Sequence, residues 1–388
     1  MSKPQIGSEL PFAESEFRNR ISQIQSSLRR NNLDAGILFD PENIYWLTGY
    51  QSIGYFTFQC LLVLPDQDPI LISRKVNGFL AAVTPTLSDF VSIADDASAV
   101  EVLAQLLNRL FSGTDEIGLE TRAWYLTVQD YHSIKSLCQC EIGEWNDQIE
   151  PFRMIKSAEQ IDRMRDAAKA AEAGLDAALS AVQVGATEND LSAAMFSASI
   201  TAGSEYLGHP PLVVSGERTA LCFAMWKRRA IAEGDVVLLE AAGCIDRYHA
   251  MIARSAVLGT ATQKQREMAA VIIEVLETAI QTIKPGAVSA EVDEACRRIT
   301  TRKEVSGSFA HRTGYAIGIG FPPNWSEGRF LALRPNDPTV LLPGMTFHCV
   351  PTLFDEQYGM CFSESVLVTE TGCEVLTNYP RKLFEIPI

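Results

Sequence analysis

Apolar residues recur along the chain with two periods, and the periods divide it. In residues 14–31, Phe17, Ile21, Ile24 and Leu28 fall on one face at helical spacing, which predicts an amphipathic helix. "AGILFD" (35–40) reads as a buried strand, and "FQCLLVLP" and "PILISR" as two more, separated by the turn "DQD". "AVEVLAQLLNRLF" predicts a helix and "EIGLE" a further strand. Helices alternating with apolar strands make this part an α/β domain.

The pattern changes near "FRMIKSAEQIDRM". Ser157 and Gln160 have capping-box spacing, so a helix starts there, and Ile161, Met164 and Ala168 continue its apolar face. "VGATENDLSAAMFSASITAG" supplies another cap and helix. "GDVVLLEAAG" and "YHAMIARSAVLG" read as strands joined by the tight connection "CIDR". Two more helices follow, "KQREMAAVIIEVLETAIQTI", ended by "KPGA", and "SAEVDEACRRI". The remainder returns to strands in "GMTFHCVPTLF", "GMCFSESVLVTETG" and "CEVLT". Helices interleaved with antiparallel strands make this half α+β. The expected domains are 1–154 and 155–388.

Composition narrows the function classes. The chain has 388 residues, 47% of them hydrophobic, enough for large cores in two domains. Its formal net charge of −15 argues against a sequence-independent nucleic-acid binder, which needs a basic surface. The nine cysteines form no regular framework, and "CQC" (Cys138, Cys140) has no second ligand pair at metal spacing. That usage fits a reducing cytoplasm. No apolar run reaches the roughly 18–20 residues that span a bilayer, so no membrane partner is expected.

Three residues stand out chemically. "VVLLEAAG" predicts burial on both sides of Glu240, and a buried unpaired glutamate costs several kcal/mol unless it is matched or neutralised. His249 and His348 are two of only five histidines, and both fall on predicted strands. Each reads as a proton carrier near neutrality or as a hydrogen-bonded core residue.

An ordered set of segments resembles the creatinase/aminopeptidase-P superfamily: "DPENIYWLTGY", "RMIKSAEQI", "EGDVVLLEAAGCIDRYHAMIARS", "RTGYAIGIGFPP", "VLLPGMTFHCVP" and "FSESVLVTETG". The resemblance covers nearly the whole chain. It implies an α/β N-terminal domain followed by an α+β "pita-bread" catalytic domain. Metallopeptidases of this superfamily bind two metal ions through two Asp, one His and two Glu. In this chain the five positions are read as Glu240, Met251, Tyr315, Val350 and Glu364. Two hard divalent ions need more oxygen and nitrogen donors than this set supplies, so neither metal nor other cofactor is expected.

The metal-free members of the superfamily open a C–N bond at an amidine-type carbon in a small substrate that also carries a carboxylate. "GYAIGIGFPPNW", "LRPNDPTVLLPGMTFH", "SESVLVTETG" and "AGCIDRYHA" are most similar to the ectoine hydrolases. The resemblance therefore implies a metal-independent hydrolase of a small zwitterion, ectoine or 5-hydroxyectoine, with Glu240, Glu364 and His348 as catalytic groups. Glu240 and Glu364 would grip the planar cation with charge-assisted hydrogen bonds, and Glu240 would act as nucleophile or activate water. Tyr315 would donate to developing charge or fill the core, and Trp325 would wall the pocket and stack on a flat cation or serve packing alone. Arg334 sits in a segment that resembles one in creatinase whose arginine contacts the substrate carboxylate; a surface salt bridge is the other reading. His249 and, from the N-terminal domain, Tyr55 complete the expected substrate contacts. The family's N-terminal domain reaches a neighbouring subunit's site, which implies a homodimer.

Two departures matter. Phe223, in "TALCFAMWKRR", stands where these relatives carry a histidine, the proposed general base of creatinase. Cys361 replaces an acidic residue of the ectoine-hydrolase pattern. Two other readings are an Xaa-Pro aminopeptidase with an unusual site and a catalytically inactive metabolite- or protein-binding relative.

Overall fold

The computed structural model describes residues 9–302 and 309–388. The chain divides into two compact units, one ending at Arg153 and one beginning at Met154.

The N-terminal unit is built on six strands in the order Asp89–Ile93, Gln67–Arg74, Gln59–Leu64, Ala35–Leu38, Glu116–Leu119 and Glu141–Glu144. Ala35–Leu38 and Gln67–Arg74 run antiparallel to the Gln59–Leu64 strand between them, and the outer pairings are parallel. Parallel neighbours need crossover connections, which the intervening helices provide. The helix Glu14–Arg30 buries Phe17, Ile21, Ile24 and Leu28, the stripe its period predicts. Tyr55 is buried in this unit, edge-on to Tyr125 at 5.1 Å between ring centroids.

The C-terminal unit opens with the helix Ala158–Ser180, whose first turn carries the capping box of Ser157 and Gln160. Its alanine-rich face lets the backbone approach the strand Val236–Ile245 closely. A Cβ at Gly243 would lie 2.0 Å from the Ala167 carbonyl oxygen, so no other residue fits there. That strand pairs antiparallel with Tyr248–Leu258, and Leu212–Ser215 and Phe384–Ile386 flank the two in a four-stranded sheet. The hairpin turns on Asp246 and Arg247, both left-handed with φ of 47° and 65°. Such turns favour Asn and Gly. Arg247 is held there by its own side chain, which is fully buried, donates to the Gly320 and Tyr206 carbonyls, and lies over the Tyr206 and Phe321 rings.

A second sheet has the order Ala332–Leu333, Gly314–Ala316, Thr346–Cys349, Glu364–Val368 and Cys373–Val375. Two segments that read as continuous strands are broken. "GMTFHCVPTLF" gives Thr346–Cys349 and Thr352–Phe354, interrupted by Pro351, which has no N–H for the ladder. "GMCFSESVLVTETG" gives Gly359–Cys361 and Glu364–Val368. The pieces Thr352–Phe354 and Gly359–Cys361 pair with each other as a separate hairpin. Among the described residues no helix is long and apolar enough to cross a membrane.

One ion pair lies deep in this unit. Lys156 Nζ is 2.6 Å from Glu327 Oε2, with the side chains only 1% and 2% exposed. The backbone of Lys156 donates to the Gly344 carbonyl and that of Glu327 to Ala316, so the pair ties the start of the unit to the strand Gly314–Ala316. Removing one partner strands the other charge. Lys156→Met is expected to destabilise the protein by about 3–5 kcal/mol, and Lys156→Met/Glu327→Leu to recover most of that loss. Urea denaturation followed by tryptophan fluorescence measures both.

Candidate active site

Glu240 lies in the middle of the strand Val236–Ile245 and is 6% exposed. Alternation along the strand pair puts Met251 and Ala253 on the same face as Glu240 and turns Arg254 to the opposite face. Burial raises the Glu240 carboxyl to about 7. Tyr315, Cys361 and Cys222 are near enough that, after burial itself, the charge of Glu240 raises each of them.

Next to this carboxyl runs a chain of hydrogen bonds. Trp325 Nε1 donates to the Tyr315 hydroxyl at 3.2 Å. That hydroxyl is 2.8 Å from His348 Nδ1, and His348 Nε2 is 2.7 Å from Ser363 Oγ. His348 Nδ1 also lies 3.8 Å from Glu240 Oε1. Burial, aided by His311, lowers His348 to about 3, so the ring is neutral at pH 7. Both its partners are hydroxyls, which donate or accept. Either tautomer is therefore satisfied, and the ring can pass a proton along the chain.

The two other strand candidates behave differently. His249 has fixed roles at both nitrogens. Nδ1 faces the Arg247 carbonyl at 2.9 Å, which only accepts, and Nε2 receives the Gly208 N–H at 2.9 Å, which only donates. Burial and then the Arg247 charge lower it to about 3. His249 is a neutral pin that holds the segment at Gly208; it has no nitrogen left for substrate. Glu364 does not share a substrate cation with Glu240. The register pairs His348 with Ser365 and Cys349 with Glu364, so Glu364 points to the face opposite His348. There its Oε1 accepts from Arg254 at 2.7 Å and Arg381 at 2.8 Å, and its Oε2 from the Thr377 hydroxyl. Ser363, one residue earlier, is the side chain this segment gives to the site.

The remaining expectations divide the same way. Tyr315 and Trp325 are in the cluster. Arg334 is on the surface and paired with Asp337 at 3.2 Å. Arg312 takes the inward place: half-buried, it lies over the Tyr315 ring at 4.8 Å and donates to the Gly328 carbonyl, with no carboxylate partner among the described residues. Phe223 is 69% exposed with a left-handed φ of 62°, a strained geometry for an aromatic residue. Tyr55 belongs to the N-terminal unit. The sequence reading missed Ser363, Arg312 and His209, whose ring packs against Trp325 at 4.8 Å between centroids. Counting the strand period back through "FSESV" would have found Ser363; nothing in "HRTGY" or "LGHPPL" singles out the other two.

Comparison with known proteins places this geometry. Residues 162–370 match the metallopeptidase family M24 and residues 20–155 the creatinase/prolidase N-terminal domain. The chain belongs to family M24. It is 31% identical to an uncharacterized hydrolase/peptidase of Sinorhizobium fredii, with 96% of this chain and 98% of that protein aligned. It is 29% identical to the ectoine hydrolase of Halomonas elongata, over 97% and 98%. The recombinant prolidase of Thermococcus sibiricus shares the fold, with a TM-score of 0.85 at 20% identity over 96% and 99% of the two chains. These findings give the creatinase/aminopeptidase fold. The family's dimetal centre does not fit the residues present. Among the described residues no group of three or more His, Cys, Asp or Glu side chains is placed to hold a metal ion.

Glu240 and Glu364 should respond oppositely to amide substitution. The folded Glu240 carboxyl, at about 7, exceeds its ordinary value of 4.5, so the folded state takes up a proton. The stability this contributes is complete below pH 4.5 and is lost as pH rises through 7. Glu240→Gln is expected to be near neutral at pH 4.5 and to stabilise by up to about 3 kcal/mol at pH 8. Glu364→Gln is expected to cost about 3–5 kcal/mol, because it leaves two guanidinium groups without their carboxylate. Denaturation of both variants at the two pH values checks the contrast.

Proposed function

We propose that the chain is a hydrolase that opens a non-peptide C–N bond at an amidine-type carbon in a small zwitterion, with ectoine or 5-hydroxyectoine as substrate. The observation that carries this reading is Glu240, a buried carboxyl poised near neutrality beside the Tyr315–His348–Ser363 chain. A flat amidinium matches one carboxylate, and the substrate's own carboxylate matches the inward guanidinium of Arg312. Trp325 supplies a wall for the flat cation. The likeness to the Halomonas ectoine hydrolase supports the substrate. The likeness to the Xaa-Pro dipeptidase of Pyrococcus furiosus, 23% identical, supports a peptidase, but among the described residues that reading has no donor set for the family's metals.

The reaction follows from the groups. A base is most effective when its pKa is near the working pH, which Glu240 satisfies. Glu240 takes a proton from water as the water oxygen attacks the amidine carbon. It then returns that proton to the departing nitrogen. Tyr315 donates to the oxygen that becomes the carbonyl, and His348 with Ser363 keeps the phenol supplied with a partner in either tautomer.

Proton NMR of the purified protein with ectoine and 5-hydroxyectoine tests the reading. Ring opening to an acetyl-diaminobutyrate is expected at the same rate with and without a chelator. Glu240→Gln should lower kcat by about a thousandfold. Arg312→Met should raise KM by about ten- to a hundredfold, through loss of a charged hydrogen-bond pair. No ring opening, with Xaa-Pro dipeptides cleaved only after metal addition, would sink the proposal.

A further inference from the structure

We infer that His209 is a catalytic residue of this site, the base that accepts the second proton of the hydrolysis. The inference rests on the functional reading above and goes beyond it. That reading leaves one proton without a destination. After Glu240 returns the first proton, the adduct still carries an O–H that must be lost as the carbonyl forms and the C–N bond breaks. The position where relatives carry a histidine is Phe223, which is exposed and has no proton to exchange. His348, lowered by burial to about 3, relays a proton between its two hydroxyl partners and does not hold an extra one near pH 7. His249 is locked at both nitrogens.

His209 has a defined lone pair free for work, an arrangement that His311 shares through the Arg312 carbonyl at 2.8 Å, but it is the His209 ring that packs on Trp325. Its Nδ1 lies 2.6 Å from the Pro210 carbonyl, which only accepts, so Nδ1 carries the hydrogen and Nε2 the lone pair. Nε2 has no partner among the described residues. A carbonyl on Nδ1–H also fixes the tautomer and the ring orientation, the positioning part of the role a carboxylate plays in a Ser-His-Asp triad. The ring is half-buried.

The structure also builds the place where His209 sits. It lies three residues, at most about 10 Å of chain, before Leu212, and Leu212 stands opposite Glu240, roughly 5 Å further across the strand pair. Its ring packs on Trp325, which donates to Tyr315. The segment carrying it is tied down at four points. Glu205 N–H donates to the Cys244 carbonyl, Ser204 Oγ accepts from the Cys244 N–H, and the Tyr206 carbonyl accepts from Arg247. Gly208 N–H donates to His249. Gly208 is required as glycine, since a Cβ there would lie 2.2 Å from the Asn324 carbonyl oxygen. Buried His249 and Arg247 thus act as positioning residues for His209. In the proposed step the adduct O–H bond breaks, its proton passes to His209 Nε2, the carbonyl forms and the C–N bond opens. The imidazolium then gives its proton to the amine, which leaves as an ammonium.

Steady-state kinetics on ectoine and 5-hydroxyectoine test the assignment. His209→Ala should lower kcat about a hundredfold with KM within about threefold, and added imidazole should restore at least about tenfold. His209→Gln, which keeps the bulk against Trp325, should lose as much kcat as the alanine variant. Undiminished kcat in His209→Ala, or a fully active His209→Gln, would show a packing role and overturn the inference while leaving the hydrolase reading intact. Failure of the wild-type protein to open either ring overturns the hydrolase reading and this inference with it.

Discussion

The candidate site depends on one register: the antiparallel pairing that sets His348 between Tyr315 and Ser365. Side chains alternate across a sheet, so a slip of one residue exchanges everything the site sees. In the register that forms, Tyr315, His348 and Ser363 share a face and make a continuous run of hydrogen bonds. Glu364 is sent to the other face, where Arg254, Arg381 and Thr377 consume its oxygens. The register itself is held from both ends. Pro351 stops the strand after Cys349, and the buried Lys156–Glu327 pair fixes the segment that returns to Ala316.

That arrangement leaves Glu240 as the carboxylate that meets the His348 chain, and its chemistry follows from the isolation. With Met251 beside it on the strand pair and Tyr315 across from it, no fixed positive charge lowers its pKa, and burial raises it. A carboxyl that exchanges protons near pH 7 can serve as base and acid in turn. Metal ions would supply the same water activation by a different route. The cluster combines one buried carboxyl, a neutral histidine between two hydroxyls and the Arg312 guanidinium over the Tyr315 ring, the groups on which the proposed reaction draws.

Much of this was legible in the sequence, and the limits have physical causes. The amphipathic helix at Glu14–Arg30, the capping box at Ser157, the long hairpin and the central place of Glu240 follow from period and cap chemistry, which are local. Tyr315 and His348 came from the family resemblance and from strand placement. Glu364 misled because a glutamate next to an expected ligand position looks like the ligand; only the pairing partner of the strand decides which face it takes. His249 misled because a strand histidine is ambiguous until both nitrogens have named partners. Arg334 and Arg312 show the same limit, since proximity to the Tyr315 ring is a tertiary fact. His209 was invisible because its value comes from Pro210, Trp325 and Gly208 acting together across three segments.

The central claim is that a proton-exchanging carboxyl occupies the place of the family's metal pair. The most direct measurement is the manganese content of the protein after equilibrium dialysis against Mn²⁺. Well under one tightly held ion per chain is the expected result, with no change when Glu240 is replaced by Gln. Two ions per chain, lost in Glu240→Gln, would contradict the account.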